Sequence, residues 1–162
     1  MARLAAAPGI EDLTPPSRGA ADHEYPDCAA HEEGYEMTGY FGPIEKLSEK
    51  NRYFRRVLFT GKHSQLVLMC LAPGEEIGEE VHRTVDQFFR VEKGHARVVL
   101  NKTEKHLVNP GGAFVVPAGT RHNVINYSKT ESLHLYTIYS PPQHADGTVH
   151  KTRADALAAE HH

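Results

Sequence analysis

Short apolar runs recur along the second half of the chain, each closed by a turn signal. FRRVLFT precedes GK, SQLVLMCL precedes APGEE, QFFRV precedes EKG, and ARVVLN, AFVVP, HNVINY and LHLYTIY follow in the same manner. Many short segments rich in Val, Phe, Tyr and Leu, punctuated by Gly and Pro, predict β-strands. Their succession predicts an all-β sandwich or barrel rather than alternating strands and helices. Two stretches depart from this texture. IEKLSEK, residues 44–50, predicts a short helical turn, and ADALAAE, residues 154–160, predicts a weak terminal helix.

The pattern also divides the chain. Residues 1–40 are rich in Ala, Pro, Gly, Asp and Glu, and PPSRGAADHEYPD offers too little apolar surface to offset the entropy of ordering. They are expected to form a flexible, irregular N-terminal arm. The barrel is expected over 41–145, and a C-terminal tail with a short helix over 146–162. His161 and His162 resemble the remnant of an expression tag and are set aside from the site. At 162 residues the chain is long enough for one domain with a modest core.

Charge changes the picture little. A formal net charge of -3 gives no electrostatic case for nucleic acid. The one basic cluster, Arg52, Arg55 and Arg56, is interrupted by aromatics, faces Glu45 and Glu49 in sequence, and reads as a solvated surface. Cys28 lies in a polar segment and Cys70 inside QLVLMCL, where it reads as a small buried hydrophobe; this usage fits a reducing compartment. MARLAAAPG lacks the apolar core of a signal peptide and no stretch is long enough to span a bilayer, so a cytoplasmic protein without membrane partners is expected.

The chemistry concentrates in GEEIGEEVHRTVDQFFRVEKG, residues 74–94. Along an extended segment residues two apart share a face, so Glu80 and His82 project together while Glu79 and Val81 face away. After the connection RTVD, Gln87, Phe89 and Val91 are expected to line one face of the next strand. Further on, GGAFVVPAGTRHNVIN places His122 just after a Pro-x-Gly turn, at the start of another strand. A carboxylate, two imidazoles and an amide oxygen converging inside a barrel would suit a transition metal.

These residues carry a resemblance to the cupin superfamily. One cupin motif runs G-x5-H-x-H-x4-E-x6-G, and Gly74, Glu80, His82, Gln87 and Gly94 occupy its positions with every spacing kept. The second, G-x5-P-x-G-x2-H-x3-N, is matched by Gly111, Pro117, Gly119, His122 and Asn126. The resemblance covers roughly residues 52–142 and implies an antiparallel double-stranded β-helix, or jelly-roll barrel, with metal in its interior or mouth. Within the superfamily the chain is similar to small single-domain bacterial members of the mannose-6-phosphate-isomerase-like group. It departs from the motif twice: Glu80 stands where histidine is usual, and Gln87 where glutamate is usual. The formal ligand charge is unchanged by the exchange, which points to a retuned site rather than a decayed one.

One divalent transition metal ion is therefore expected on Glu80, His82, Gln87 and His122. Two nitrogens and two oxygens favour Mn²⁺, Fe²⁺, Ni²⁺ or Co²⁺, with Zn²⁺ also admitted. Gln87, a neutral amide, would ligate directly or hold a metal-bound water. Candidates for catalytic roles are weaker: Arg121 beside His122 could hold an anionic group, and His134 and Tyr136, which share a face of LHLYTIY, could move protons. His144 and His150, in the segment after SPP, are read as residues of a loop that could cross the barrel mouth rather than as catalysts. The expectation is a metal-dependent enzyme, an isomerase or lyase using the ion as a Lewis acid on a sugar or a keto or hydroxy acid. The alternatives are a non-haem metal dioxygenase and a non-catalytic metal- or ligand-binding module. Small cupins often pair through sheet edges, which implies a homodimer.

Overall fold

The structure, a computed structural model, describes residues 38–161. The expected arm falls almost wholly outside these residues, as does Cys28. Among the described residues nine strands and two short helices follow one another: α1 (Ile44–Lys50), β1 (Arg55–Thr60), β2 (Gln65–Leu71), β3 (Asp86–Lys93), β4 (Ala96–Leu100), β5 (Glu104–Val108), β6 (Ala113–Val116), β7 (His122–Asn126), β8 (Leu133–Ser140), β9 (Val149–His150) and α2 (Arg153–Glu160). One sheet has six strands in the order β6-β3-β8-β2-β1-β9 and the other three in the order β5-β4-β7, with every strand pair antiparallel. This is an all-β jelly roll, the double-stranded β-helix. Among the described residues no helix is long and apolar enough to cross a membrane.

Alternation along the strands decides what faces inward. Gln87, Phe89 and Val91 of β3 are buried while Phe88 and Arg90 are only partly covered. Val67, Met69 and Leu71 of β2, Leu133, Leu135 and Tyr139 of β8, Ala96 and Val98 of β4 and Val124 of β7 complete the interior. Phe89 stacks on Phe114 with ring centroids 4.6 Å apart. Burying a side chain of this size contributes roughly 1.5–3 kcal/mol. In β2 the outward residues Leu68 and Cys70 are buried as well, because α1 packs over β2, β3 and β8. Coverage on both faces explains why QLVLMCL is a continuous apolar run rather than an alternating one.

Two strands escape the sequence pattern. β5, EKHLV, is an edge strand whose first four residues are exposed, so it carries no alternation to detect. β9 has only Val149 and His150, which extend the large sheet by pairing with Arg56 and Arg55. The turn after Lys93 needs a glycine: Gly94 has φ +83°, and a Cβ there would lie 2.6 Å from the Ser132 carbonyl oxygen. Thr152 caps α2 in a reciprocal box with Asp155, which satisfies backbone donors at its first turn.

Candidate metal centre

Glu80 and His82 lie on a segment outside the named strands, held by an isolated antiparallel bridge between Glu80 and His122. Glu80 N donates to His122 O at 2.9 Å, His122 N donates to Glu80 O at 3.0 Å, and Gly119 N donates to His82 O at 2.7 Å. Both motifs are thus locked together by main chain, and side chains directly opposite across such a bridge project to the same side. Glu79 and Val81 point outward and are exposed.

The result is a compact donor cluster: ligating atoms of Glu80, His82 and His122 all lie within 4.8 Å of one another. His82 Nε2 is 3.2 Å and His122 Nε2 3.8 Å from Glu80 Oε2. Donor atoms each about 2.1 Å from a common ion are separated by no more than about 4.2 Å, so the carboxylate is within range of sharing an ion with either imidazole. His122 Nδ1 donates to the Thr120 carbonyl at 2.9 Å, which fixes the proton on Nδ1 because a carbonyl can only accept. Its Nε2 is left as a lone pair, buried and without a hydrogen-bond partner. Gln87, 1% exposed, donates through Nε2 to Thr137 Oγ1 at 3.0 Å, and its Oε1 is likewise buried and unpartnered. Two orphaned acceptors cost folding free energy unless something positive meets them. This donor set fits a divalent transition ion on chemical grounds.

The surroundings tune these groups. Burial pushes the Glu80 carboxyl up, but its hydrogen bond with His82 and the electrostatic pull of the His82, Arg55 and His122 side chains outweigh that and hold it below its usual value. Tyr139, opposite Gln87 in the β3–β8 register, sets its ring edge-on to His82 at 5.8 Å and to His144 at 5.0 Å. Burial holds its hydroxyl well above the usual phenol range, so it stays protonated. Burial, with the Arg55 charge, pushes His144 down to about 4. Its Nε2 is buried and unpartnered.

A cleft of about 510 Å³ opens onto this centre, lined by Arg55, Glu80, His82, His144, His150 and Glu160 among others. A hollow of about 680 Å³ between β5 and β6 is larger but contains none of these groups, so chemistry rather than volume selects the cleft. Arg55 corrects the reading of the basic cluster as solvated surface: it is 2% exposed, on the inward phase it shares with Val57. The alternation Arg55, Val57 was the available signal, obscured by Arg56 beside it. The loop after SPP, expected to cross the barrel mouth, folds back over it and brings His144 to the cleft, which His150 reaches from β9. Gln65 holds the loop there, with Nε2 donating to His144 O at 2.8 Å and Oε1 accepting from His144 N at 3.0 Å and Gln143 N at 3.3 Å.

The weaker catalytic candidates lie elsewhere. Arg121 is exposed and paired with Glu79, which faces away from the cluster. His134 is on the outward face of β8, beneath α1, with Nδ1 3.2 Å from Ser48 O, and burial lowers its pKa. Tyr136 is half-buried on that same outward face with its ring 6.1 Å from Phe88. The odd-numbered residues of β8 face the barrel, so Tyr139 rather than Tyr136 approaches the cluster.

Residues 67–139 match the family described as Cupin domain. The chain is 52% identical over 122 residues to the uncharacterized protein YrkC of Bacillus subtilis (strain 168), a match covering 72% of this chain and 65% of that protein, just short of two thirds of its length. It is 49% identical over 112 residues to the uncharacterized protein L612 of Acanthamoeba polyphaga mimivirus, covering 68% of this chain and 70% of that one. The crystal structure of BH2720 from Bacillus halodurans superposes with a TM-score of 0.72 at 45% identity, covering 74% of this chain and 93% of that one.

Proposed function

Because the chain belongs to the cupin superfamily, we propose that it is a metal-dependent enzyme acting on a small oxygenated molecule, a sugar or a keto or hydroxy acid. We place it among the mannose-6-phosphate-isomerase-like cupins, with Glu80, His82 and His122 as the metal ligands and Gln87 Oε1 as the fourth. The observation that carries this reading is the cluster of Glu80, His82 and His122 donor atoms, with His122 Nε2 buried and unpartnered and Gln87 Oε1 left orphaned in the barrel interior. A bound divalent ion, Mn²⁺, Fe²⁺, Ni²⁺ or Co²⁺, would act as a Lewis acid that polarises a substrate oxygen for isomerase- or lyase-type chemistry.

The chain's own residues supply the rest. His144, neutral at physiological pH because burial and Arg55 push it down to about 4, lines the cleft as an uncharged hydrogen-bonding group with an unpartnered Nε2. Tyr139 stays protonated with its ring edge-on to His82 and His144, and the loop clamped by Gln65 covers the mouth of the cleft. The two-His-one-carboxylate composition also supports a second reading, a non-haem dioxygenase.

Elemental analysis of protein purified without a metal-affinity column tests the proposal. One equivalent of Mn, Fe, Ni, Co or Zn is expected in the parent and none in the His82→Ala, His122→Ala double variant. The same metal content in both proteins would sink the assignment. A metal without turnover on sugars, keto acids or hydroxy acids would leave a binding module.

A further inference from the structure

Arg55 is the group in the cleft that metal binding does not use. It projects from β1 with 2% exposure, a burial that a guanidinium tolerates only when paired. Its pairing here is loose. Nη2 is 3.9 Å from Glu80 Oε1, Nη1 is 3.6 Å from Glu160 Oε1 and 3.4 Å from His150 Nδ1, and Nε is buried with no hydrogen-bond partner. A guanidinium offers five donors in a planar fork, and a carboxylate is the anion that fits it two-by-two. None of the carboxylates around Arg55 does so.

We propose that Arg55 is the carboxylate anchor of the cleft and that the substrate is a small 2-hydroxy or 2-keto acid rather than a neutral sugar. The inference rests on the metal reading given above and narrows its substrate class. Glu160, near the end of α2, holds the anchor's place: its carboxylate lies beside Nη1 while its side chain remains 53% exposed and free to leave. The spacing of Arg55 from Glu80 sets the anchor next to the metal ligands, so a two- or three-carbon acid can reach both. His150 on β9 and Glu160 on α2 both touch Arg55, which gives the C-terminal segment a part in the site.

The test is calorimetric titration of protein reconstituted with Mn²⁺, its metal content measured first, with lactate and with its neutral analogue lactamide. Lactate is expected to bind roughly 10-fold or more tightly than lactamide, as a charge-assisted pair requires. Arg55→Gln should erase that preference while retaining the metal. Glu160→Gln, at a half-exposed position that does not endanger folding, should tighten lactate several-fold by removing the competing carboxylate. Retained Mn²⁺ with equal binding of the two probes, or a preference that survives Arg55→Gln, would overturn the anchor and leave the metal site standing. Unchanged or weaker lactate binding in Glu160→Gln would also overturn it. Protein that retains none of Mn²⁺, Fe²⁺, Ni²⁺, Co²⁺ or Zn²⁺ on reconstitution would overturn both readings together.

Discussion

Replacing His144 by Gln should flatten the acid limb of the stability profile. In the folded protein its imidazole is pushed down to about 4, by burial first and by the Arg55 charge second. In the unfolded chain an imidazole titrates near about 6.5. Above that value both states are neutral and the stability is fully present. As pH falls from about 6.5 toward about 4, the unfolded chain binds a proton that the folded protein does not, so stability is lost progressively. Below about 4 both states are protonated and the loss is constant. Each pH unit is worth about 1.4 kcal/mol, so the whole interval amounts to roughly 3 kcal/mol. Residual solvent contact of the ring trims this to about 2 kcal/mol. The substitution keeps the main-chain bonds that Gln65 makes to residue 144, since those use only backbone atoms. Urea unfolding in the presence of a chelator, from about pH 8 to about pH 4, gives the stability of parent and variant at each pH. Their difference should shrink or reverse by about 2 kcal/mol across the interval, while groups common to both proteins cancel. Two parallel profiles would refute the placement of His144 as a buried, neutral cleft residue.

Two further outcomes follow from the hydrogen-bond geometry. Gln87→Leu removes an orphaned carbonyl along with the donor to Thr137, so metal-free stability should stay within about 1 kcal/mol of the parent. Mn²⁺ affinity in the same variant should fall about 10-fold or more, as read by melting with and without the ion. Asn126→Ala strips the carbonyls of Leu71, Ala72 and Glu131 of a shared donor and Ser128 N of its acceptor, and should cost about 3 kcal/mol. At about 3 °C per kcal/mol the melting temperature should drop by about 10 °C. Its metal content should be unchanged below the transition, because His122, the proposed ligand, lies at the other end of β7.

Much of the strand ladder was legible because inward and outward positions alternate and glycine or proline closes each run. Period two along an extended chain likewise assigned Glu80 and His82 to one face and Gln87 to the face it shares with Phe89 and Val91, while His122 was found from the second motif. Edge strand β5 was not legible, because a strand exposed along nearly its whole length has no face to mark. Arg55 lay hidden in a run of charge. Only the closure of β1 against β9, with α2 folded behind it, turned a basic cluster into a buried guanidinium. His144 depended still more on tertiary structure: it lies 79 residues from Gln65, whose amide seats it over the mouth. Periodicity decides which face of its own segment a residue occupies, and the sequence alone determined that much here. Which faces meet depends on contacts between residues remote along the chain, and that meeting decided what surrounds Glu80, His82 and His122.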